Sequence, residues 1–144
     1  MTVRYHHIQT GTLMLVVLPI SAIVCAAVGY LDPPAPGRGV LWALAILFVV
    51  LAWLFSSLTV EVTDDEVLWY FGPGLWRYRV ARVDIESAQA VRNSWLSGFG
   101  IRRRPGFRLY NVSGLDAVEL RLKGGGIRRV GSDEAQALAA ALAA

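Results

Sequence analysis

The stretch VLWALAILFVVLAWLFSSL, residues 40–58, contains no charged side chain. A helix of ~20 residues rises ~30 Å, the thickness of a bilayer's hydrocarbon core, so the stretch reads as a membrane span. Immediately after it, Thr59, Val60, Glu61, Val62 and Thr63 alternate polar and apolar in the manner of a strand, with no Gly- or Pro-rich linker between. The span therefore feeds directly into a folded domain and holds it close to the membrane surface.

Toward the N-terminus, TLMLVVLPISAIVCAAVGYL at 12–31 is another uncharged run long enough to span. Pro19 inside it is tolerated in a membrane helix. A secretory signal peptide is the rival reading, since Arg4 supplies a positive start and Cys25, Ala26 and Ala27 resemble a cleavage site. The length of the run, and a second span so close behind it, favour a retained helix. DPPAPGRG at 32–39 stops helix formation with three prolines and two glycines and is too short to be a domain. The two spans then form an antiparallel hairpin, with residues 1–11 as a polar tail on the same side as the domain. Arg4, Arg77, Arg79 and Arg82 flank that side, against Arg38 alone in the turn, so the positive-inside rule makes it cytoplasmic. Ala22, Ala26 and Gly29 recur at spacings of four and three and allow the helices to approach closely. Neither span carries an ionisable group, which argues against an ion or proton pathway.

Of the 144 residues, 55% are hydrophobic and 17% charged, and the apolar excess lies before residue 59. Residues 59–144 remain for one compact core. Twelve of the 14 basic residues and 10 of the 11 acidic ones follow residue 58, so the domain carries about +2, too little to indicate nucleic acid as a partner.

The domain reads as short strands at 58–63, 67–71, 75–80, 84–92, 108–112, 117–122 and 127–130, separated by Gly-, Pro- and Asp-rich turns. Ser132 then caps a helix with Asp133 and Glu134 in its first turn and Ala135, Leu138 and Leu142 along one face. Residues 93–106 follow neither period.

Two spans, seven strands and a final helix resemble the small bacterial membrane proteins that carry a pleckstrin-homology-like (bacterial PH) domain. The resemblance rests on SLTVEV at 57–62, WYFGPG at 69–74, VRNSWLSGFGIRRRPGFRLYNVSGLDAVEL at 91–120 and RRVGSDEAQALAAAL at 128–142. It implies a bacterial cell membrane and a two-helix transmembrane hairpin followed by a small mainly-β PH-like domain. About seven antiparallel strands, packed as two sheets, and a C-terminal capping helix are expected. It assigns no activity, because fold alone does not fix function.

An enzyme is not expected. His6 and His7 are adjacent in the tail, the single cysteine, Cys25, lies in an apolar run, and no Ser/His/Asp or Cys/His set can be drawn from the domain. Two adjacent histidines without a third ligand make no metal site, and no cofactor is expected. The stretch NSWLSGFGIRRRPGFR, 93–108, stands out: it combines Trp95, Leu96, Phe99 and Phe107 with Arg102, Arg103, Arg104 and Arg108, rings and guanidiniums suited to lipid headgroups or a partner protein. The bland alternative is a core plug with solvated arginines around it. The reading is a non-enzymatic, membrane-anchored interaction module that binds a protein partner or peptide at the cytoplasmic face. The alternatives are an anionic-lipid sensor working through the 95–108 loop, or an accessory subunit of a membrane transporter complex. Membrane lipids are expected contacts, and self-association is left open.

Overall fold

In the computed structural model, which describes residues 2–31, 36–97 and 99–143, the chain begins with a strand. β1 (Val3–Thr10) lies antiparallel to β2 (Ser57–Thr63), with Ile8 opposite Thr59 and Thr10 opposite Ser57. Residues 3–10 are thus not a tail but an integral strand of the domain. Tyr5, His7 and Gln9 face inward while Arg4, His6 and Ile8 face outward. The period of two is present, but its inward positions are polar or aromatic and do not read as a buried face.

Beyond this ladder Gly11 donates its N–H to the Ser56 carbonyl at 2.7 Å. The described residues between those two form a helical hairpin: α1 (Thr12–Leu31) and α2 (Arg38–Leu54) run back to back, and the Gly29 end of α1 meets Leu41 and Trp42 at the start of α2. Ala22, Gly29, Ala45 and Ala52 are buried in the seam, where small side chains let two helices close up. α1 has 20 residues and is apolar enough to cross a membrane, whereas α2 has 17 and is shorter. The apolar stretch 40–58 is therefore not one helix. α2 stops at Leu54, and from Ser57 the backbone is taken up by pairing with β1. Phe55 closes the helix, its N–H donating to Leu51 O at 3.0 Å, and its ring packs edge-on to Phe71 at 5.2 Å. Of the turn at 32–39, residues 32–35 lie outside the described residues.

β3 (Glu66–Phe71) and β4 (Arg77–Ala81) complete a first antiparallel sheet in the order β1-β2-β3-β4. The expected strand at 75–80 starts two residues late, leaving Leu75 and Trp76 outside it and exposed. The β3–β4 turn sits against the end of α2. Gly72, at φ 45°, comes so close that a Cβ there would lie 2.5 Å from Leu54 O. A side chain at this position would push the hairpin off the sheet.

The second sheet contains β5 (Ile85–Arg92), β6 (Gly100–Arg104), β7 (Phe107–Asn111), β8 (Asp116–Leu122) and β9 (Ile127–Gly131), in the order β5-β8-β9-β7-β6. The described residues form nine strands rather than the expected seven. The β7–β9 pair is parallel, which corrects the all-antiparallel expectation. Parallel pairing follows from connectivity: the short connection at 112–115 sends β8 back against the direction of β7, β9 runs antiparallel to β8, and lying between the two it meets β7 in the same direction.

α3 (Ala135–Ala143) packs on β5 and β8 and touches β1. Asp133 and Glu134 precede this helix instead of filling its first turn, where the sequence led one to expect them, and the Ser132 hydroxyl accepts a hydrogen bond from the Glu134 N–H, at 3.1 Å. Across from it, His7 of β1 places Nε2 2.5 Å from Asp133 Oδ1 and Nδ1 3.4 Å from Glu134 Oε2, docking the first strand onto the start of the helix. The core lies between the sheets. Trp69 stacks on Tyr78 at 6.2 Å and meets Tyr110 edge-on at 5.3 Å, with Val60, Val118, Leu120, Val130 and Leu138 around them.

Candidate functional site

β5 and β6 occupy opposite edges of the second sheet. Four strand spacings of ~4.8 Å separate them, so residues 93–99 must cover ~19 Å across the sheet. This traverse is the irregular stretch of the sequence. Asn93 anchors its start: its N–H donates to Leu115 O at 2.7 Å, and its Oδ1 accepts from Arg129 Nη1 at 3.2 Å. A single 3-10 turn, Trp95–Ser97, follows, and it leaves Trp95 78% and Leu96 87% exposed. Trp95 therefore does not plug the core. Phe99 is half-buried at the entrance to β6.

β6 was not expected as a strand, because GIRRR has no apolar alternation. Pairing with β7 forms it, and among the described residues its other edge carries no strand. The strand period then divides the arginines between two faces. Arg103 stands opposite Arg108, and Arg108 opposite Arg128 in the parallel register, giving three guanidinium-bearing positions abreast on β6, β7 and β9. Among the described residues none of the three has a carboxylate within salt-bridge distance. Burial, and after it the charge of Arg108, holds the Arg128 guanidinium below its usual value. Like charges directly opposite across strands repel, so the row is poised for an anion.

Arg102 and Arg104 project on the other face. With Ser97, Phe107, Leu109 and Arg129 they line a cavity of about 320 Å³. Arg129 is already committed there. It donates through Nε to Glu119 Oε2 at 2.8 Å, and its guanidinium lies 5.2 Å above the Phe107 ring. The structure thus gathers Arg103 and Arg108 on one face and Arg102 and Arg104 on the other, while Trp95 joins neither group. Sequence reading missed Arg128 and Arg129. They lie some twenty residues further along the chain, and only the parallel β7–β9 register brings them alongside.

Glu119 is outward-facing as its alternation implies, yet only 7% exposed. Burial alone would raise its carboxyl, but the hydrogen bonds from Arg129 and Arg121, and then their charges, bring it below the ordinary glutamate value of 4.5. A carboxylate with a depressed folded-state pKa stabilises the fold above its unfolded pKa, and this contribution disappears as pH falls through the folded value. Acid titration of thermal stability should therefore show a loss below about pH 4.3–4.5 that Glu119→Gln flattens. An unchanged acid limb in Glu119→Gln would show that the pair contributes nothing to the pH dependence.

Comparison of the chain with protein-family models, with curated proteins and with solved structures finds no match. The geometry defines a two-sheet β domain with an apolar helical hairpin inserted between its first two strands and an arginine-bearing strand at one open sheet edge.

Proposed function

We propose that the chain is a non-enzymatic, membrane-anchored interaction module, PH-like in the sense of the sequence resemblance, that takes up an acidic peptide strand of a protein partner along β6. The single observation that carries this reading is the open edge of β6, with Arg103 on one face and Arg102 and Arg104 on the other, none of them in a salt bridge among the described residues. A strand added there gains main-chain hydrogen bonds, and its alternate side chains meet the Arg103–Arg108–Arg128 row on one side and the Arg102–Arg104 cavity on the other. Charge also selects the guest. A second copy of β6 would set arginines against arginines, whereas carboxylates at alternating positions would be paired.

The anchoring half of the proposal rests on the hairpin. Val16, Ile20, Ile23, Ile46 and Val49 are each more than half exposed, apolar surface on both helices that lipid would cover. Both helices cross the bilayer in this reading. The 17-residue α2 is at the short limit for a span. Arg4 and the domain's arginines keep β1 and the domain on the cytoplasmic side of a bacterial cell membrane. Tethering then raises the effective concentration toward membrane-bound partners.

The test uses the full chain in lipid nanodiscs and fluorescent decapeptides of alternating Val and Glu. Binding should weaken with added salt and fall at least ten-fold (about 1.4 kcal/mol) in Arg103→Ala/Arg108→Ala. N-methylation of alternate peptide amides, which leaves charge intact, should abolish it. Equal binding of the N-methylated peptide would overturn strand addition.

A further inference from the structure

The end of the domain from which the helices leave carries two exposed apolar projections, and neither is explained by the β6 site. One is the β3–β4 turn. Gly72 in that turn abuts Leu54 O and Trp53 O of α2, and Leu75 and Trp76 beyond it are 62% and 58% exposed. The other is the 3-10 turn with Trp95 and Leu96. Hydrogen bonds place its root at the same end: Gln9 Nε2, two residues before Gly11, donates to Ser113 O at 2.9 Å, and Leu115 O in that same loop accepts from Asn93 N. Trp53, in the last turn of α2, is 57% exposed at this level too.

We infer that Leu75, Trp76, Trp95 and Leu96 seat the domain on the bilayer, with their side chains inserted at headgroup depth on either side of the emerging hairpin. The occupant of these apolar projections is lipid, because one of them abuts the last turn of α2, where the exposed apolar helix surface ends at Trp53, and the other is rooted at the same end of the domain. The two turns GPGLW at 72–76 and SWLSGF at 94–99 carry no acidic or basic residue that would resist entry. Trp and Leu are side chains that settle at that depth, Trp at the interface with its N–H toward the headgroups. Two contacts plus the hairpin fix three points and hence the tilt of the domain. β6 starts at Gly100, next to this seat, and runs away from it, so Arg104 Cα lies about 13 Å further along the strand. The seat thereby aims the open β6 edge outward from the membrane, where a partner strand can reach it. The inference rests on the membrane-anchored reading and adds to it the domain's orientation.

Site-directed spin labelling of the full chain in phosphatidylcholine bilayers tests it, on a Cys25→Ala background. Labels are placed at Leu75→Cys, Leu96→Cys, Ile46→Cys on the hairpin and Lys123→Cys at the far end of the domain. The ratio of collision with oxygen to collision with an aqueous nickel chelate should be several-fold higher at Leu75→Cys and Leu96→Cys than at Lys123→Cys, and highest at Ile46→Cys. Lipid-like values at Ile46→Cys with aqueous values at 75 and 96 would overturn the seat alone. Aqueous values at Ile46→Cys would overturn membrane anchoring and the seat together.

Discussion

A chain lacking residues 1–10 is expected to lose its cooperative unfolding transition, not merely to shed an ordered extension. β1 is an edge strand paired through Val3 to Thr10 with β2, and its inward side chains close the gap between the first sheet and α3. Removing it deletes a ladder whose hydrogen bonds each contribute ~0.5–1.5 kcal/mol net. It also leaves Asp133 and Glu134 without His7, and uncovers the Tyr5 side of the core. Against a total stability of ~5–15 kcal/mol for a domain, such a loss leaves little folded protein. Thermal unfolding followed by near-ultraviolet circular dichroism checks this in detergent-solubilised protein. A truncated chain that melts cooperatively within a few degrees of the full chain would mean that β1 is dispensable.

The second large effect is expected at Trp69, which is 1% exposed and bridges the sheets through Tyr78 of the first and Tyr110 of the second. Truncating a buried aromatic side chain costs ~3–5 kcal/mol, because transfer energy and residual cavity add. In a domain of this size Trp69→Ala should lower the melting midpoint by on the order of 15 °C or more. Trp69→Phe should cost far less. The indole Nε1 has no hydrogen-bond partner among the described residues, so Phe removes an unsatisfied donor while keeping most of the ring packing. Equal destabilisation by the two substitutions would show that the indole, and not bulk packing, holds the sheets together.

Where the sequence was legible, local periodicity was the whole signal. Val60 and Val62 in β2, Val67, Trp69 and Phe71 in β3, and Val118 and Leu120 in β8 enter the core at every second residue, and these strands fall where alternation puts them. The capped helix after Ser132 and the small-residue seam of the hairpin are equally local features. β1 and β6 were missed because neither has an apolar face: β1 turns Tyr, His and Gln inward, and β6 is held by β7 despite three consecutive arginines. The stretch 40–58 misled in the opposite sense. It carries no charge as far as Leu58, but long-range pairing of Ser57 with Thr10 ends the helix early. Of the candidate site, the arginine cluster was visible, but not its division between two faces. Nor was its extension to Arg128 visible, because both depend on register between strands distant in the chain.

The same long-range pairing reorganises the view of the whole molecule. The domain consists of residues before and after the hairpin, and the two helices are an insertion at the tip of the β1–β2 connection. The hairpin is then a removable insertion, tied to the core among the described residues by contacts such as Phe55 on Phe71 and the Gly72 turn on Leu54.

Replacing residues 11–56 with Asn-Gly, which joins the paired residues Thr10 and Ser57 through a two-residue hairpin turn, tests that claim most directly. The expected product is water-soluble, with dispersed amide resonances and a single cooperative thermal transition. A joined chain that aggregates or lacks cooperative unfolding, while the full chain folds in bilayers, would show that the helices are part of the domain's core and would contradict the insertion.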